Sequence, residues 1–158
     1  MKKDWDPQRL DVRAFARQAG SVSGQTSLAH LSRLQAEQNA PGPSGWVHWS
    51  LSGQTRELRG GAHQTWMQVQ AQTCLHMICQ RCLEPLQQEL MVDREFRFVS
   101  TEQAAQEQDD QAEEDLLVAS TQFDAWTLIE DELILALPLV PRHESCQRPQ
   151  ASVQEIGA

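Results

Sequence analysis

The chain has 158 residues, enough for one domain with a modest core, with a hydrophobic fraction of 40 % and five Trp but no Tyr. Thirteen basic residues against 22 acidic ones leave a net charge of −9, which excludes general binding to a phosphate backbone and restricts nucleic-acid contact to a local patch or a partner protein. No apolar run approaches the roughly 18–20 residues of a membrane span.

Residues 1–9 are polar and are expected to fray. From Leu10 to Arg17 the apolar residues fit neither period cleanly, so a short helix and an irregular edge segment both remain open. Gly20 and Gly24 bracket a short strand at Ser21-Val22-Ser23. Residues 27–38 predict a helix. Ser27 is its N-cap, Leu28, Leu31 and Leu34 form its apolar stripe, and Pro41-Gly42-Pro43 ends it. Trp46, Val47, Trp49 and Leu51 predict a strand that turns at Ser52-Gly53, and Gly60-Gly61 predicts a second turn.

Met67, Val69 and Ala71 alternate with Gln68, Gln70 and Gln72, which predicts a half-buried strand. A change of phase over Thr73–Ile78 predicts a bulge before Cys79. Leu86–Val99 predicts the return strand, with the hairpin turning at Cys79–Glu84. Residues 100–115 carry seven acidic residues and no basic one, which predicts a mobile acidic loop. Leu116–Ala119 predicts one more short strand. Residues 124–137 predict a helix with Asp124 as N-cap, a Phe123/Leu128 staple and a stop at Pro138. Together these give an α+β class: a single domain with an antiparallel β-sheet meander of at least three strands, and helices packed on it. Its core spans about residues 6–146, and 147–158 form a polar C-terminal tail.

Cys79-Gln80-Arg81-Cys82 is where chemistry could concentrate. Two sulfurs brought together at a hairpin tip serve a metal, a redox couple or a tight turn. A tetrahedral Zn²⁺ site needs four N or S ligands, and His143 with Cys146 can supply the second pair, with Cys74 and His76 as nearer substitutes. A thioredoxin-like pair would open a helix after a strand, whereas Pro85 and the strand pattern here point to a hairpin. Arg81 is an exposed binding candidate, or the partner of an internal carboxylate such as one of Glu130, Asp131 and Glu132. Those three are themselves binding candidates. Neighbouring residues on a helix diverge by about 100°, so the trio does not converge unaided on one Mg²⁺. No Ser/His/Asp or Cys/His constellation stands at a diagnostic spacing, and no Gly-rich phosphate loop occurs. The expectation is a protein that is not an enzyme and takes no small-molecule substrate. Met1-Lys2-Lys3 runs into Asp4, Trp5 and Asp6 and not into an apolar signal segment, so a cytoplasmic location without membrane association is expected. The cysteines would then be reduced or metal-bound.

Two stretches resemble a known family. They are Cys79-Gln80-Arg81-Cys82-Leu83-Glu84-Pro85-Leu86 and the run from Leu128 through Glu130-Asp131-Glu132 to Pro138-Leu139-Val140-Pro141-Arg142-His143. Phe15-Ala16-Arg17, Gly24 and Leu31-x-Arg33-Leu34 add weaker agreement. The chain resembles the large ribosomal RNA subunit accumulation protein family (YceD-like) over about residues 6–146. The resemblance implies a bacterial cytoplasmic ribosome-biogenesis factor that promotes synthesis, processing or accumulation of 23S rRNA, with no catalytic residues to carry over. Its partner would be a basic ribosomal protein or assembly factor met through acidic surfaces, and/or a 23S rRNA precursor touched locally through Arg81, Arg94 and Arg97. The alternative is a zinc-stabilised protein-binding module unrelated to ribosomes.

Overall fold

The strand rule of inward and outward alternation runs without interruption from Met67 to Met77. Met67, Val69, Ala71, Thr73, Leu75 and Met77 are all buried, and Gln70, Gln72 and Cys74 between them are exposed. The computed structural model describes residues 4–43, 45–109, 112 and 114–146; the tail 147–158 lies outside them. Their element order is α1 (Val12–Arg17), β1 (Ser21–Ser27), a 3₁₀ turn (Leu28–His30), α2 (Ser32–Gln35), β2 (Trp46–Glu57), β3 (His63–Ile78), β4 (Pro85–Val99), α3 (Glu102–Asp109), β5 (Asp115–Val118) and α4 (Ala125–Leu135). The strands form one sheet in the order β1-β2-β3-β4-β5. The first three pairings are antiparallel, but β5 lies parallel to β4. The sheet is therefore mixed, which corrects the purely antiparallel expectation. A parallel neighbour needs a crossover, and α3 provides it.

One face of the sheet carries the core. Val47, Leu51, Met67, Val69, Leu75, Leu90 and Phe96 meet Phe15 of α1, Leu28, Leu31 and Leu34, and Ile129 and Leu133 of α4. Full burial of each such side chain contributes about 1.5–3 kcal/mol. The opposite face is polar: Gln70 accepts from Ser50 and donates to Asp93, and Arg56 stacks 3.8 Å from the centre of the Trp66 ring.

In the segment 10–17, left open by its pattern, Leu10 makes an isolated antiparallel bridge with Phe123, Asp11 caps, and Val12–Arg17 form helix α1. Four local expectations fail, each for a physical reason. The 27–38 helix is broken at Leu31 (φ −113°, ψ 76°) into a 3₁₀ turn and α2. Leucines three apart suit a period of 3.0, and all three reach the core this way. The turn expected at Ser52-Gly53 is the middle of β2. Gly53 is there because a Cβ would stand 2.9 Å from Cα of Ala16, so the glycine lets α1 seat on the sheet. The bulge over 73–78 is absent, because Thr73 keeps phase by donating its hydroxyl to Trp46 O at 2.8 Å. The acidic stretch, expected as a mobile loop, holds α3. Thr101 Oγ1 accepts from Ala104 N, and Arg97 of β4 supplies the cation that the stretch lacks by binding Gln108 and Glu114.

Candidate metal centre

The turn after β3 is built to point sulfur inward. Cys79 N donates to Glu84 O at 2.9 Å and Leu83 N to Cys79 O at 2.8 Å, which closes a tight loop over the two cysteines. Closing it forces Leu83 to φ 63°, a conformation that costs an L residue with a large side chain. The chain leaving α4 then folds back onto this tip. Pro138 and Pro141 keep it from continuing as helix, and Gln80 N donates to Pro141 O at 2.8 Å. That bond fixes where His143 and Cys146 arrive.

The result is a cluster of Cys79, Cys82, His143 and Cys146, whose ligand atoms all lie within 4.8 Å of one another. Cys79 Sγ is 3.7 Å from Cys146 Sγ, and His143 Nδ1 is 3.4 Å from Cys82 Sγ and 3.9 Å from Cys146 Sγ. A tetrahedral ion with Zn–S and Zn–N lengths would set S···S near 3.8 Å and S···N near 3.6 Å, roughly. The spacing fits that donor set and is far beyond an S–S bond of about 2.05 Å; all four cysteines are free.

The surroundings favour ligation too. His143 Nε2 lies 3.2 Å from Pro85 O. A carbonyl only accepts, so Nε2 carries the proton and Nδ1 turns its lone pair to the sulfurs, the usual arrangement behind a ligating His. Burial pushes the Cys79 thiol up, but the backbone N–H groups of Cys82, His143 and Arg81 aimed at its sulfur overrule this and bring it down to about 5. Cys146 goes the other way, to about 11, raised by burial and by the Cys79 and Cys82 sulfurs. One sulfur is thus prepared as a thiolate, and the next cannot join it without a cation between them.

The other residues singled out from sequence lie elsewhere. Cys74 is exposed, paired in register with Glu89, and His76 is paired with Gln87; neither joins the cluster. Arg81 is exposed at the tip and makes no ion pair among the described residues, so of its two readings the internal pairing is not realised. The carboxylates named for it have other partners. Arg33 takes Glu130 at 2.9 Å and Asp131 at 2.7 Å, and Arg94 takes Glu132 at 2.5 Å. Glu130 and Glu132 are buried, whereas Asp131 is half exposed. Arg94 also pairs with Asp115, and Arg97 with Glu114. They sit far along β4 from the tip, so Arg81, Arg94 and Arg97 do not form one patch. No local signal announces Arg33, because its partner Glu130 is 97 residues away.

The family model described as Large ribosomal RNA subunit accumulation protein YceD matches residues 67–157, more than half of the chain. The chain belongs to the YceD family. The matched YceD region contains both halves of the Cys/His cluster, together with β4, α3, β5 and α4. No curated protein and no solved structure matches the chain. Among the described residues, no helix is long and apolar enough to cross a membrane.

Proposed function

We propose that this YceD-family chain is a bacterial, cytoplasmic, non-enzymatic factor in ribosome biogenesis, which promotes accumulation of 23S rRNA and assembly of the large subunit. The observation that carries the reading is the match to the family described as large ribosomal RNA subunit accumulation protein. Cys79, Cys82, His143 and Cys146 would hold one Zn²⁺ as a structural ion. Four protein ligands with three buried sulfurs leave no open position for a substrate, as structural zinc sites do and catalytic ones do not. When bound, the ion would staple the segment after α4 to the β3–β4 tip. The chain's own contribution is the tautomer of His143 and the N–H groups on Cys79.

The partner is a ribosomal protein or assembly factor, a 23S rRNA precursor, or both. The inward use of Glu130 and Glu132 weakens the acidic helix as a docking face. Deleting the gene and measuring 23S against 16S rRNA tests the reading. A fall in the ratio, restored by the wild-type gene, is expected. An unchanged ratio would sink it and leave a metal-stabilised binding module.

A further inference from the structure

We infer that a basic cleft at the end of the sheet remote from the cysteines binds phosphate groups of an RNA strand, with Arg13 and Arg17 as its cationic contacts. The cleft lies where β2 ends and β3 begins, between α1 and the start of α3, and encloses about 640 Å³. Arg13, Arg17, His63 and Arg97 line it. No Asp or Glu does among the described residues, although the chain has 22 of them.

The charge is available. Arg97 is spent on Glu114 and Gln108. Arg13 donates to the neutral Ser100 hydroxyl at 2.8 Å, and neither Arg13 nor Arg17 has an ion pair among the described residues. Both are exposed. They stand four apart on α1 and so share one face of the helix, where like charges repel unless an anion joins them. Thr55 of β2 also lines the cleft. Two guanidinium forks one helical turn apart can each take a phosphate bidentately. That arrangement suits a strand better than a single ion.

The choice of RNA rests on the proposed role in 23S rRNA accumulation; the anion site itself does not. The test is fluorescence anisotropy of a labelled single-stranded RNA titrated with the zinc-loaded protein at several salt concentrations. R13Q/R17Q is compared with wild type, and melting temperature and zinc content serve as folding controls. The expected result is at least about tenfold weaker binding for R13Q/R17Q. The slope of log K against log salt should fall by about 1.4 for the two lost contacts. R13K/R17K should keep most of the binding. Equal binding by wild type and R13Q/R17Q overturns the inference. So does a wild-type protein whose melting temperature rises with inorganic phosphate but which binds no RNA. In cells, full restoration of 23S rRNA by R13Q/R17Q in the deletion strain counts against the cleft alone. An unchanged ratio on deletion counts against the biogenesis role and leaves the binding result intact.

Discussion

Glu130 caps the short helix that carries Arg33, from 97 residues away. Its Oε2 accepts from the backbone N–H of Arg33 at 2.9 Å and of Leu34 at 3.1 Å, while Oε1 accepts from the Arg33 guanidinium at 3.2 and 2.9 Å. The residue at the N-cap position of α2 is Leu31, which cannot cap. The carboxylate therefore supplies from α4 what local sequence does not.

Replacing Glu130 with Ala should destabilise by about 2–3 kcal/mol, because two amides at a buried helix start lose their acceptor together with a charged partner. Arg33→Ala should cost clearly less, since the exposed guanidinium leaves the carboxylate still held by both amides. Urea unfolding of the two variants checks the order. Equal losses would mean that the ion pair, and not the cap, dominates.

Zinc should co-purify at about one ion per chain and be lost from Cys79→Ser but not from Cys74→Ser. Chelator should lower the melting temperature of wild type and leave Cys79→Ser unchanged. Elemental analysis with thermal unfolding decides this. A Cys79→Ser protein that keeps its metal and its melting temperature would remove the centre.

Gly53→Ala should destabilise by roughly 1–3 kcal/mol, because the new methyl meets backbone atoms of Ala16, which cannot swing aside as a side chain could. The measurement is the midpoint in urea. Since α1 also carries Arg13 and Arg17, the same variant should weaken RNA binding. A Gly53→Ala protein as stable as wild type would show that α1 shifts freely.

Leu83→Gly should stabilise by about 0.5–1 kcal/mol. It removes the left-handed penalty at φ 63° from a side chain that is 69 % exposed, less the entropy that glycine adds to the unfolded chain. A loss of stability on chemical unfolding would instead reveal a contact made by the leucine.

What could be read from sequence was what local chemistry decides. Met67, Val69 and Ala71 declared their strand, and Asp124 declared its helix by accepting from Thr127 N at 3.1 Å. The four cluster residues were legible because each pair keeps a short ligand spacing and prolines steer the second toward the first. Gly53 was misread because a glycine needed for close approach looks like one needed for a turn. Thr73 was misread because its hydroxyl is satisfied by Trp46 O, a partner 27 residues away. The parallel placement of β5 and the Arg13/Arg17 cleft had no signal, since both depend on which distant segments share an edge.

β3 begins at His63, in the arginine-lined cleft, and ends at Ile78, beside the first cysteine. At about 3.3 Å per residue its 16 residues span about 50 Å. β2 pairs with it from His63 to Gln72 and β4 from Thr65 to Ile78, so the strand works as a beam bonded to at least one neighbour throughout. The cysteine tip and the arginine cleft are its two poles, held at a fixed separation. A ligand bound at one pole is kept a set distance from whatever touches the other, as by the jaws of a calliper.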